Sequence, residues 1–215
     1  MSRITVIGGT GYAGSAIVAE AAARGHDVTV LSRSLPAEGV PGVTYVQGDA
    51  ADEAALSSVI SGAEVVVGAL APRGPLAESF RDVYRSIARL ADTNGARLYL
   101  VGGFSSLRPA AGAPRFVTDL SHAPAEFHHE IRAGAAVVIE DLPATPESLN
   151  WVFVSPAGGF GSYAPGERRG EYRLGGDIAV QPDGGGEISG VDYALGFVDL
   201  IEKGDHHRAH VNLAY

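Results

Sequence analysis

Apolar residues in this chain fall into two rhythms. Short runs that are apolar almost throughout alternate with longer stretches in which apolar side chains recur every third or fourth residue. The runs are RITVIGG (3–9), DVTVLSR (27–33), VTYVQGD (43–49), AEVVVGAL (63–70), RLYLVGG (97–103), NWVFVSP (150–156) and AHVNLAY (209–215). A run without polar alternation is a strand buried on both faces. The helical stretches are Ser15–Arg24, closed by Gly25, and 52–61, with acids in its first turn and Gly62 behind it. Acids suit that turn because the helix dipole is positive there. The stretch 78–93 places Phe80, Val83, Tyr84, Ile87, Leu90 and Ala91 on one face and is stopped by Asn94-Gly95. A helix over 124–142 carries Phe127, Ile131, Ala135, Val138 and Ile139, and a last one covers 189–204.

Strand–helix–strand repetition gives a parallel sheet with right-handed crossovers. The expected architecture is a single α/β domain over 1–215, a doubly wound parallel sheet of the Rossmann type. No linker or internal repeat divides it. Two Gly/Pro-rich stretches, 102–115 and 155–187, follow the fifth and sixth strands. In an open parallel sheet that is the ligand-binding edge.

Composition narrows the choice of partner. With 215 residues the chain suits one sizeable domain, and a net charge of −9 argues against a nucleic-acid phosphate backbone as ligand. No apolar run is long enough to cross a bilayer, and no signal-peptide pattern precedes the first strand. Cysteine is absent, which excludes disulfides, thiolate catalysis and thiolate metal sites and fits a cytoplasmic protein. Lysine occurs once, at Lys203.

The chemistry starts in VIGGTGYAGS, where Gly8, Gly11 and Gly14 recur at every third residue between a strand and a helix. In that setting the first glycine permits a tight turn, the second lets a pyrophosphate approach bare backbone, and the third lets helix and strand pack closely. The second strand ends in Ser32 and Arg33, where a dinucleotide lacking a 2′-phosphate usually meets a carboxylate. An arginine can fork onto a phosphate, so NADP(H) is expected over NAD(H). The alternative is that Arg33 is a solvated surface residue. Asp49 stands where it could touch an adenine edge, or it is a structural turn aspartate.

GGTGYAG, LSR, QGD, VGGFSSL, NWVFVSPA, ERRGEYRLGGD and the ending ISGVDYALGFVDLIEKGDHHRAHVNLAY together resemble the atypical short-chain dehydrogenase/reductases. The match is with their small NAD(P)H-binding members, the NADH-flavin-reductase, NmrA-like and biliverdin-reductase-B-like group, and it covers most of the chain. The resemblance implies that Thr10, Gly11, Tyr12 and Ala13, with Gly8 and Gly14, hold the pyrophosphate. It puts Arg33 beside Ser32 on the 2′-phosphate, Asp49 and Ala50 on the adenine, and Ala69, Leu70 and Ala71 along the ribose. Ser155, Pro156, Ala157 and Gly158 fall near the nicotinamide, and Gly102 counts among the cofactor-binding residues.

One departure stands out. Catalytic members of the wider superfamily carry a Tyr-xxx-Lys pair after the fifth strand, but here HAPAEFHHEIR offers Pro124 and His128 at that spacing. The candidate catalytic residues are therefore Ser106, which aligns with the serine that bonds substrate in relatives, Ser105, which stands where glycine is usual, and His128. The serines could equally satisfy backbone groups in a glycine-rich turn. His122 and His129 read as exposed at a helix start, and His206, His207 and His210 as surface residues. No metal site is expected. A flat conjugated small molecule such as a flavin, quinone or enone would suit a site without a strong protein acid, because it delocalises the charge it receives. A dinucleotide-sensing regulator and an isomerase or dehydratase are the alternatives. Exposed helices of such folds often pair, which makes a homodimer one of the oligomeric states the sequence leaves open.

Overall fold

The computed structural model describes residues 1–181 and 186–215; positions 182–185, inside the stretch 155–187, lie outside the described residues. Its elements are β1 (Arg3–Ile7), α1 (Tyr12–Ala23), β2 (Asp27–Ser32), β3 (Thr44–Gln47), α2 (Glu53–Ile60), β4 (Val65–Gly68), α3 (Phe80–Thr93), β5 (Arg97–Val101), α4 (His128–Ala136), β6 (Trp151–Pro156), β7 (Arg173–Gly175), α5 (Gly190–Lys203) and β8 (Ala209–Ala214). They form one sheet in the order β3-β2-β1-β4-β5-β6-β8-β7. Every pairing is parallel except that of β7 with β8. β1 sits centrally, with Ile4 opposite Val28 on one side and Val65 on the other.

Helices cover both faces, so the expected doubly wound, single-domain α/β fold is present. On one side α1 and α5 bury Ile17, Val18, Phe197 and Val198 against Val6, Val30 and Val154. On the other, α2, α3 and the segment after α4 bury Leu56, Ile87 and Val138 against Leu98 and Phe153. Arg24, capping the C-terminus of α1, ties the first pair of helices together through Asp199 and Glu202 of α5, each at 2.7 Å. Asp52 caps α2 by accepting from the Ala54 amide at 2.9 Å.

Three expectations change. Strand β7, Arg-Leu-Gly, lies in a stretch read as loop. It is three residues long with no apolar pattern, and its pairing with β8 opposes Arg173 to Ala214 and Gly175 to Asn212. Helix 124–142 is three pieces: a 3-10 turn at Ala125–Phe127, α4, and a π-turn at Val137–Asp141 closed by Leu142 N donating to Val137 O at 2.8 Å. The extra residue of a π-turn rotates the apolar face. Val137 and Val138 both turn inward, while Ile139 is left 39% exposed and Phe127, before the helix, 44% exposed. Helix α1 begins three residues earlier than its apolar spacing suggested, inside the glycine motif.

Candidate functional site

The glycine motif is a turn from β1 into α1. Gly8 has φ +87°, a conformation glycine adopts without strain, and a Cβ there would lie 2.7 Å from the Ala69 carbonyl oxygen. A Cβ on Gly14 would lie 2.3 Å from the Gly8 oxygen, so this glycine lets the helix sit directly on the turn. Gly11 differs. Its φ of −76° suits any residue, and a Cβ would meet no protein atom nearer than 3.5 Å. The space above it is left by the fold rather than filled. No side chain caps α1 and no acid stands in its first turn. The N–H groups that open a helix are free to bond an anion there, where the dipole also favours negative charge. Thr10 and Gly11 are exposed, and Tyr12 and Ala13 half-buried, at this same point.

Tyr12 carries a second job. Its hydroxyl donates to Pro165 O at 2.9 Å and accepts from Gly190 N at 2.9 Å, and its ring meets Phe160 edge-on at 5.2 Å. The backbone of Tyr12 belongs to the turn, while its side chain pins the loop after β6 and the start of α5. Nearby, buried Asp192 accepts from Tyr215 Oη (2.5 Å), Arg169 N (2.6 Å), Gly170 N (2.9 Å) and Ser189 Oγ (2.9 Å). Burial alone would raise its carboxyl, but these donors outweigh burial and hold it below the usual carboxylate range.

Across the carboxyl edge, Ser32 is buried at the end of β2 and donates to Ser34 O, while Arg33 beside it is exposed. Asp49 is exposed and accepts from Ala51 N at 2.9 Å, a turn-forming bond that leaves its outer oxygen to solvent; Ala50 is buried. Beyond β4, Ala69 N donates to Ile7 O, and the Tyr84 hydroxyl of α3 accepts from Leu70 N at 3.1 Å and donates to Leu70 O at 3.3 Å. Ala69, Leu70 and the exposed Ala71 thus form a fixed rail next to the glycine turn. Gly102 packs on Phe153, where a Cβ would come within 2.2 Å of the ring.

At the ends of β5 and β6 the structure assembles a polar cluster that the sequence did not announce. Ser106 and Ser155 are buried, with their Oγ atoms 3.0 Å apart. Both hydroxyls can donate to Gly103 O, at 2.7 and 3.0 Å. His210 Nε2 lies 2.8 Å from Ser155 Oγ and 3.4 Å from Ser106 Oγ. The expectation that His210 is a surface residue is wrong: β8 pairs with β6 and brings it opposite Phe153, whose ring it meets edge-on at 5.3 Å. Burial first, and the Arg115 guanidinium second, push its pKa down to about 3. Pro156 and Ala157 are buried beside the cluster. Ser106 satisfies Gly103 O, whereas Ser105, half-buried on the same turn, makes no side-chain hydrogen bond among the described residues.

His128 stands at the start of α4 with Nε2 on two carbonyls, Leu120 O at 3.0 Å and Ala123 O at 2.9 Å. His122, His129 and His207 are exposed. Among the described residues no group of His, Asp and Glu has the arrangement of a metal site, and no helix is long and apolar enough to cross a membrane. Pairing across β6 and β8 is what hid His210, since it joins residues 55 apart; the one signal in the chain was the apolar run around it.

The residues present fit a dinucleotide: an uncapped helix start, bare backbone at Gly11, an exposed guanidinium at the end of β2 and a rail at 69–71 all follow strands at the carboxyl edge of the sheet. A sequence profile described as NAD(P)H-binding matches residues 8–203. The uncharacterized protein YwnB of Bacillus subtilis is 30% identical over 206 residues, 95% of this chain and 94% of its own. A crystal structure of a candidate epimerase from Bacteroides thetaiotaomicron superposes with a TM-score of 0.84 at 29% identity, covering 100% of this chain and 97% of that one. That of a candidate NADH-flavin reductase from Streptococcus pneumoniae gives 0.81 at 30% identity, with 100% and 99% covered.

Proposed function

The chain belongs to the NAD(P)H-binding family, and from that premise we propose that it is an NADPH-dependent reductase of the atypical short-chain type, acting on a flat conjugated acceptor such as a flavin, quinone or enone. The observation that carries the reading is Gly11, the one motif glycine whose missing side chain the protein itself does not require. Space kept clear beside free helix N–H groups is what a pyrophosphate needs. The S. pneumoniae neighbour adds support for the acceptor class.

In this reading Gly8, Thr10, Gly11, Tyr12, Ala13 and Gly14 hold the pyrophosphate through backbone. Ser32 and Arg33 take the 2′-phosphate, Asp49 and Ala50 border the adenine, and Ala69, Leu70 and Ala71 border the ribose. Gly102, Ser155, Pro156 and Ala157 back the nicotinamide. Reduced nicotinamide, when bound, supplies the hydride. The chain's own part is to place that ring and the acceptor face to face, to keep water out with the buried β5 and β6 ends, and to orient the acceptor's oxygen. Ser105 offers the free hydroxyl for that, and Ser106 fixes the turn behind it. His128, its Nε2 already held by two carbonyls, has only Nδ1 left to offer the acceptor.

Calorimetry with NADPH and NADH tests the cofactor, and NADPH oxidation against flavin mononucleotide, menadione and a cyclic enone tests the reaction. Binding without turnover of any acceptor would move the reading to a dinucleotide-sensing regulator. That alternative is favoured by the position of Lys203, the only lysine, on α5 across the sheet from α4. Light scattering of the same sample reads the oligomeric state.

A further inference from the structure

We propose that His210 is a positioning residue: held as its Nε2–H tautomer by Arg115, it locks Ser155 and Ser106 and thereby fixes the turn that presents Ser105. The proposal rests on the reductase reading for its kinetic consequence, but not for its chemistry.

The hydrogen-bond directions follow from who can donate. Arginine has only N–H donors, so the Arg115 guanidinium, 3.4 Å from His210 Nδ1, requires that nitrogen to be an acceptor. A neutral imidazole then carries its proton on Nε2, which donates to Ser155 Oγ at 2.8 Å. Ser155 passes its own proton to Gly103 O or to Ser106, and Ser106 donates to Gly103 O. The chain of donors runs one way, from guanidinium to carbonyl, and every member is satisfied. This direction rules out the reading a close Ser–His pair invites. A histidine that activates a serine must accept the hydroxyl proton, and a third group must accept from its other nitrogen. Here the third group is a donor, so Ser155 is not a nucleophile and His210 is not its base.

The charges around the ring agree. Arg115 and Arg108 both face it, and Asp177 is shared between them, at 3.1 Å from Arg115 and 3.3 Å from Arg108. A proton on His210 would add a third cation to one carboxylate, in a half-buried site against Phe153. Arg115 also donates to the Ser106 carbonyl, so the same side chain that sets the tautomer grips the turn directly. Three segments far apart in sequence, the turn at Phe104–Ser106, β6 and β8, are thus joined by one proton-ordered network. Ser105 is the hydroxyl on that turn left outside it, facing neither the network nor any other side-chain partner among the described residues.

Nitrogen-15 NMR of the full chain with labelled histidine reads the tautomer directly. One of the seven histidines should show the neutral Nε2–H pattern, fail to titrate from pH 8 to pH 5, and vanish in His210→Gln. A His210 signal that titrates near pH 6.5 or carries its proton on Nδ1 overturns the proposal. Two variants then read positioning. Gln can still donate from its amide nitrogen to Ser155, whereas Phe keeps the ring and donates nothing. Amide exchange at Phe104–Ser106 should be roughly tenfold faster in His210→Phe than in His210→Gln. With flavin mononucleotide as acceptor, kcat should fall about tenfold in His210→Phe, stay within about threefold of wild type in His210→Gln, and leave the NADPH Kd within about twofold in both. Equal exchange and equal kcat in the two variants overturn it. If His210→Phe does not fold, the tautomer and the rescue by Gln still decide. If wild type takes up no dinucleotide, the reductase reading fails, while the tautomer and exchange measurements continue to test the network.

Discussion

Replacing Gly11 and Gly14 with alanine separates a glycine needed by the fold from one needed by a ligand. At Gly14 the new Cβ would sit 2.3 Å from the Gly8 oxygen and 2.9 Å from the Gly9 Cα, both backbone atoms that cannot swing aside. Overpacking of this kind costs about 3 kcal/mol, and for a chain of this size that lowers Tm by roughly 6–12 °C. At Gly11 the Cβ meets nothing nearer than 3.5 Å and φ is −76°, so two small effects remain. Alanine is a poorer N-cap by about 0.5–1 kcal/mol, and its stiffer unfolded chain offsets about 0.4–1 kcal/mol. Gly11→Ala should therefore melt within about 3 °C of wild type. The methyl group nevertheless occupies the space reserved above the helix start. Pushing a phosphate back costs one or two charge-assisted hydrogen bonds, about 2–4 kcal/mol in all, or roughly 30- to 1,000-fold in NADPH affinity. Calorimetric unfolding and isothermal titration on the two variants give both numbers. A Gly11→Ala protein that binds NADPH as tightly as wild type refutes the reasoning, because the empty space would then have no tenant.

Arg33→Ala should weaken NADPH binding roughly 10- to 100-fold, the worth of a charge-assisted fork, while changing NADH binding less than about twofold; equal losses for both, in fluorescence titration, would assign Arg33 a different role. Tyr84→Phe strands the Leu70 amide, which should cost about 1–3 kcal/mol in denaturant unfolding and slacken the rail at 69–71; an unchanged unfolding midpoint counts against it. Asp192 titrates below the usual range when folded, so its contribution is present above the unfolded value of about 4 and is lost as pH falls through the folded value. Asp192→Asn should accordingly be about 2 kcal/mol less stable than wild type at pH 7, with the gap narrowing as pH falls from about 4 through the folded value. A gap of the same size at pH 7 and pH 2.5 would show that the carboxylate charge is not what the site uses.

The sheet was legible because its strands are apolar on both faces, which few other arrangements tolerate, and the glycine turn because a positive φ and two close backbone contacts leave little choice of residue. Helix α3 could be read face by face: Phe80, Val83, Tyr84, Ile87, Leu90 and Ala91 are all buried. Periodicity failed where its assumption failed. A single residue added at Val137–Asp141 breaks the 3.6 repeat, so Ile139 was placed on an apolar face it does not share. Strand β7 was invisible because an edge strand of three residues draws its stability from Ala214 and Asn212 opposite, not from its own pattern. The Ser106–Ser155–His210 cluster escaped for a related reason. Each member looks ordinary in its own segment, and only the pairing of β6 with β8 makes them neighbours.

Tyr12 gives the carboxyl edge of the sheet an asymmetry. Its hydroxyl bolts the glycine turn to Pro165 and to the first residue of α5, so that wall and the loop after β6 are one solid piece. The opposite wall, beyond β4, is stitched to α4 by the Arg73–Glu130 ion pair, in which the guanidinium is largely exposed to water. One side of the glycine turn is thus held by two hydrogen bonds of a single hydroxyl, while the segment past the 69–71 rail is held by an ion pair that water screens.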